Sequence, residues 1–177
     1  MASIIRVDDL QDSGGNSYLS SNGSGTVTVG NSALKNTPSF LVTVSGTQSI
    51  PHNTYTKVQF NSELYDTDNT FDSSSNYRFT PAVAGKYQFG FGTLLTSLEN
   101  DEKLQVLVRK NGSDLAYDPQ QRFYSTNSGG ETVTAFTNII AEANTTDYFE
   151  AWVFHKEGGS RDIGSQSYFY GYKLIGA

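Results

Sequence analysis

Gly85-Lys-Tyr-Gln-Phe-Gly-Phe91 is the stretch that decides the fold. Tyr87, Phe89 and Phe91 fall on every second residue. Successive side chains of a strand point to opposite faces, so these three rings line one face. That face must pack against something large and apolar. The other face carries Lys86, Gln88 and Gly90, which suit a wetter or a closely packed surface. Just upstream, Pro81-Ala-Val-Ala-Gly85 has the residues that turn the chain between strands. The pattern predicts a central strand buried in an aromatic core.

Working outward, the same alternation returns at intervals. Phe40-Leu-Val-Thr-Val44, Gln48-Ser-Ile50 and Thr54 to Phe60 read as strands on the N-terminal side. Gly85 to Leu95 forms the middle. Lys103 to Lys110 follows, ended by Asn111-Gly112, a strong hairpin-turn signal. Asp114 to Tyr124, Glu131 to Ile140, Asp147 to Phe154 and Ser167 to Ile175 complete the series. Many short strands at such spacing predict a β-sandwich or jelly roll. The predicted core is Phe60, Phe79, Tyr87, Phe89, Phe91, Trp152 and Phe169.

Composition narrows the function classes. The 177 residues suit one domain with a modest extension. A formal charge of -6 argues against nucleic acid, whose phosphates call for clustered Lys and Arg. It argues equally against an anionic membrane surface, and no run of about twenty apolar residues suits a bilayer span. Cysteine is absent, which excludes disulfides, thiolate metal sites and a thiol nucleophile. Met1 to Leu10 lacks the basic end and apolar run of a secretory signal, so either a signal was removed beforehand or the protein is made in the cytoplasm without secretion, and the initiating Met favours the second.

The stretch from Phe60 to Phe91 also resembles the signature of the complement C-one-q globular head, a relative of the tumour necrosis factor jelly roll. Phe60 to Asp66, Asp66 to Phe71 and Phe79 to Gly85 all keep the family spacing, and Gly85-x-Tyr87-x-Phe89-x-Phe91 matches its ending. Seven residues rather than six separate Phe71 from Phe79, which an inserted residue in the loop Asp72-Ser-Ser-Ser-Asn76 accounts for. The closing Phe169-x-Gly171-x-x-Leu174 looks like the family's final strand. The resemblance covers roughly residues 38 to 177. It implies wedge-shaped jelly rolls meeting around a three-fold axis. The sequence offers physical support: Tyr168, Phe169, Tyr170 and Tyr172 put rings on both faces of one strand, and only one face can fill the sandwich.

Residues 1 to 37 differ from this head. Ile4, Ile5, Val7 and Leu10 form a short apolar cluster, followed by Asp12-Ser-Gly-Gly-Asn-Ser17 and Ser20-Ser-Asn-Gly-Ser-Gly25, both turn-forming. Thr26 to Val29 alternates like a strand. The apolar content is too small for a core of its own, so the expectation is an extended arm that docks on its own domain, a sister chain or a larger assembly. Its style is similar to short leaders on bacteriophage virion proteins. That resemblance implies a virion surface protein, on a tail fibre or the capsid exterior.

Enzymatic motifs are missing from the sequence: there is no nucleophile elbow, zinc-protease helix motif or phosphate loop. His52 and His155 sit at strand ends, where a histidine is more often simply hydrogen-bonded. Glu63, Asp66, Asp68 and Asp72 cluster between two strands. Their oxygens suit a hard cation such as calcium, which some heads of the resembled family hold, although the spacing is no calcium-loop motif and a solvated acidic loop is the simpler account. No other cofactor is implied. Contacts with a partner are expected on the turns at Asp72 to Asn76, Pro119 to Asn127 and Gly158 to Arg161, with Tyr117, Arg122, Tyr124 and Arg161 as the candidate binding side chains. The resulting expectation is a non-enzymatic homotrimer. Its arm contacts other virion proteins and its head binds a host-surface glycan or protein. A capsid-decoration protein and a free lectin-like module are the alternatives.

Overall fold

The computed structural model describes residues 7–30, 34–98, 103–115, 131–156 and 158–176. No α-helix occurs among them. Three short strands come first, β1 (Asp9–Gln11), β2 (Ser17–Ser21) and β3 (Val27–Val29), and they pair only with one another in the order β1-β2-β3. The turn-rich composition of this segment predicts one strand, and its described residues form three. Asp12 explains the first turn: its carboxylate accepts from the amides of Gly14 and Asn16 and brings β2 back onto β1.

The head is a sandwich of two antiparallel sheets. One contains β5 (Thr47–Ile50), β15 (Arg161–Gly164), β10 (Gly85–Leu98), β16 (Tyr168–Lys173), β4 (Ser39–Thr43) and β7 (Ser62–Asp66) in that order, with β13 (Glu131–Ala143) on the other edge of β10. The second contains β12 (Ser113–Asp114), β11 (Leu104–Lys110), β14 (Phe149–His155), β9 (Arg78–Phe79) and β8 (Phe71–Asp72), with β6 (Thr56–Lys57) also on β14. β10 is the hub of the first sheet because its length lets β16 and then β15 share one edge while β13 lines the other.

The core between the sheets is aromatic. Phe60, Phe79, Tyr87, Phe89, Phe91 and Phe169 are all fully buried. Phe89 stacks on Phe149 of the opposite sheet with ring centroids 4.3 Å apart. Phe40 stacks on Phe79 at 4.7 Å and meets Phe169 edge-on at 5.1 Å. Offset and edge-on pairs of this kind add about 0.5–1.5 kcal/mol each beyond their buried area. Tyr87 keeps its hydroxyl satisfied by donating to the Val83 carbonyl at 2.6 Å.

Trp152 departs from the predicted core. It lies on the outer face of β14, half-buried, with the Arg109 guanidinium 4.3 Å above its ring and its indole N–H donating to Glu150. The alternation along β14 gives the reason: Phe149, Ala151 and Val153 point inward, so Trp152 must point out. Thr54 to Phe60 is also more broken than its alternation suggests, with only Thr56–Lys57 in a strand, although Val58 and Phe60 remain buried.

Candidate interaction face

The site with the most distinct chemistry is the outer face of the β10 sheet. The register sets its rows. Gly92 of β10 lies between Phe136 of β13 and Tyr168 of β16. Gly90 lies between Asn138 and Tyr170, and Gln88 between Ile140 and Tyr172. β4 adds Leu41 opposite Tyr170, and β7 adds Tyr65 opposite Leu41. Side chains directly opposite in a sheet share a face, so these residues form one continuous surface.

The tyrosines lie down rather than stand up. A Cβ at Gly90 would come within 2.3 Å of the Tyr170 ring, and one at Gly92 within 2.5 Å of the Tyr168 ring. Only residues without a Cβ let both rings rest on β10. Tyr168, Tyr170 and Tyr172 then stack side by side, with centroids 6.3 and 6.5 Å apart and planes within 17°. Their hydroxyls are directed by amides: Tyr170 donates to Asn138 Oδ1 and Tyr172 to Gln88 Oε1, each at 2.9 Å. Burial, then the neighbouring Tyr172 and Tyr168 hydroxyls, push the Tyr170 phenol above its ordinary value, so it is neutral at physiological pH.

The face is therefore flat, uncharged at its centre and largely apolar. Phe136, Ile140, Tyr65 and Tyr168 all stay exposed in the single chain. Beside the ladder, Gln88, Asn138, Ile139 and Ile140 outline a depression of about 400 Å³. Exposed aromatic surface of this breadth has the composition that protein contacts use.

A second cleft is built from paired charges. The cleft of about 580 Å³ at one end of the sandwich is lined by Lys86, Lys110, Glu142 and Asp147, whose charges pair with one another. Burial pushes the Asp147 carboxyl up, but the Asn144 amide, Lys110 and Asn111 outweigh it and hold its pKa down to about 2. The pair thus locks the Asn111-Gly112 turn to the Asn144 turn. His155 is buried, with Nε2 2.8 Å from the Ile50 carbonyl.

Asp68 and Asp72, two of the predicted carboxylates, line one cleft of about 470 Å³ with Arg78 and Asn76. Asp66 accepts from the Phe71 amide at 2.7 Å and from the Thr70 hydroxyl at 3.1 Å. Asp72 accepts from the Ser75 amide, the Asn76 side-chain amide and the amides of Ser74 and Asn76, contacts that hold its pKa well below the usual carboxylate range. These carboxylates thus close their own loops. Among the described residues no three acidic, histidine or cysteine side chains converge as metal ligands, Asp68 included. Arg161 opens β15, and its Nε donates to the Ser97 carbonyl at 2.8 Å, bracing the irregular end of β10. Tyr117, Arg122 and Tyr124, with the Pro119 to Asn127 turn, lie outside the described residues. The outward tyrosines were visible in the sequence. The roles of Gly90 and Gly92 were not, because they depend on which residues sit opposite.

No protein-family model matches the sequence, and a search of curated proteins gives no significant match either. Solved structures do resemble it. The globular domain of zebrafish complement 1qA protein aligns with a TM-score of 0.57 at 20% identity, over 77% of this chain and 96% of that one. The PRD1 vertex protein P5 aligns at 0.55 and 15% identity, over 79% of this chain and 99% of its own. The Eiger TNF of S. frugiperda aligns at 0.52 and 15% identity, over 78% and 92%. The fold is a jelly roll. At these identities the likeness establishes the architecture alone, and the C-one-q and tumour necrosis factor resemblance read from Phe60 to Phe91 agrees with it.

Proposed function

We propose that this chain is a non-enzymatic virion surface protein whose heads associate in threes through the tyrosine face and whose loops attach the particle to its host. The observation that carries the reading is the flat ladder of Tyr168, Tyr170 and Tyr172 beside exposed Phe136 and Ile140. Three wedge-shaped heads closing around an axis bury such a face in a ring and leave loop tips free at the ends. Three copies of a loop site then add avidity without any new contact. The arm links the trimer to other virion proteins.

A place on the virion draws support from the likeness to a phage vertex protein over 99% of its solved chain and from the leader-like opening of the arm. The same likeness favours a second reading, a decoration protein on the capsid exterior, because that neighbour is named for a vertex. Both readings require the trimer. Light scattering on the purified chain tests it: a mass three times 19.3 kDa is expected, and a single-chain mass at micromolar concentration overturns it. Gold-labelled antibody on virions then separates the two: label at the tail tip supports attachment, and label over the shell supports decoration.

A further inference from the structure

The N-terminal sheet presents a second uncovered apolar face. Leu10 lies opposite Leu19, Leu19 opposite Val29, and Ser21 opposite Val27. Leu10, Leu19, Val27 and Val29 therefore share one face. Leu10 is 49%, Leu19 38% and Val27 59% exposed with the head present, so the chain's own head does not cover them. The reverse face holds one exposed aromatic, Tyr18, and is otherwise polar and partnered within itself: the Asp9 carboxylate accepts from Ser17 Oγ at 2.8 Å and from the Gln11 side-chain amide. An isolated sheet this small is marginal in water without something on its apolar side.

We infer that this face packs against the same face of two sister chains, so that three arm sheets close into a three-sided β-prism on the axis of the heads. The inference rests on the three-fold head proposed above. Area decides the occupant. A free-standing interface takes roughly 800 Å² from each partner, far more than four aliphatic side chains offer, so an unrelated protein is not held by this face alone. Sister arms differ because the heads already hold them at an effective concentration in the millimolar range. The face carries no directional polar group at its centre, so it matches a copy of itself without further complementarity. Closure of a three-fold ring is head-to-tail. The β1 side of one sheet thus meets the β3 side of the next, bringing Leu10 of one chain towards Val29 of its neighbour. The polar face and its strand edges stay available to other virion proteins.

The absence of cysteine gives a clean test. Leu10→Cys, Val29→Cys, the double variant, and Asp9→Cys with Thr28→Cys, a polar-face pair likewise two strands apart, are made in the full chain. Each is weighed by light scattering, oxidised mildly and run on a non-reducing gel. Within one chain the cysteines of the double variant sit two strands apart, roughly 9–10 Å, too far to bridge. The prism predicts covalent trimers from the double variant, no species beyond dimers from either single, and monomers from the polar-face pair. A trimeric mass with no cross-link, or with equal cross-linking from the polar face, overturns the prism and leaves the head reading intact. A single-chain mass overturns the head reading, and the prism with it.

Discussion

The Tyr170 ring lies flat on Gly90, with the position a Cβ would take only 2.3 Å from ring carbons Cε1 and Cζ. Two residues that pair across adjacent strands thereby convert a sheet surface into a plate. Tyr170 reaches over β10 to Asn138 on β13 and ties three strands together by one side chain. The flatness that would let three heads meet closely therefore depends on an absent methyl group.

Gly90→Ala should raise that plate. The obstructing atoms are the far end of a flexible side chain, so Tyr170 can swing away and lose its bond to Asn138 and its stacking on both neighbours. The cost to the single chain is about 1–2 kcal/mol, read as a lower urea midpoint with the strand content unchanged. Self-association should suffer more, because every copy loses its fit. A Gly90→Ala variant with wild-type mass and midpoint would show that the flat ladder is incidental.

How far the sequence anticipated this can be followed residue by residue. The alternation of Tyr87, Phe89 and Phe91 announced the core, because a period of two has one structural meaning when the residues are this large. β7 was not legible: Glu63, Leu64 and Tyr65 are all exposed, and the strand exists because β4 pairs with it. β15 is similar, with Ile163 alone buried and its register set by β5. Gly158 to Arg161 reads as a turn, and the strand beginning at Arg161 depends on tertiary pairing that local composition does not encode. The acidic cluster reads two ways for a related reason, since carboxylates that cap loops and carboxylates that hold a cation have the same composition.

Asp147 should confer acid sensitivity. Its pKa in the folded chain is about 2, below its ordinary 3.8. A depressed carboxyl stabilises the fold fully above the unfolded value and loses that contribution as pH falls through the folded one. The contribution is about 2 kcal/mol. Urea midpoints of wild type and Asp147→Asn should differ at pH 5 and converge as pH falls from 4 to 2. A gap that persists at pH 2 would assign the effect to lost hydrogen-bond geometry instead of charge.

Asp66 should matter as a loop anchor. Replacing it by alanine leaves the Phe71 amide without its 2.7 Å acceptor at the edge of the core, at a cost of about 1–3 kcal/mol. If backbone capping is the whole role, the melting temperature of wild type is the same in excess chelator and in millimolar calcium. A rise with calcium that Asp66→Ala abolishes would restore a cation to this loop.

Ile140→Lys offers the sharpest separation of folding from assembly. Ile140 is 53% exposed in the single chain and neighbours Gln88 on the tyrosine face. A lysine there meets water in the monomer, so unfolding should shift by no more than about 0.5 kcal/mol. In a closed trimer the same position brings three ammonium groups towards an apolar interface near the axis, where burial of unpaired charge is strongly unfavourable. The expected result is a folded single chain at micromolar concentration, with circular dichroism and urea midpoint matching wild type. Leu64→Lys, exposed on β7 outside the tyrosine rows, is the control and should leave the mass unchanged. If Ile140→Lys keeps the wild-type mass while Leu64→Lys loses it, the contact lies at the β7 edge of the sheet, and the tyrosine ladder serves some other surface of the particle.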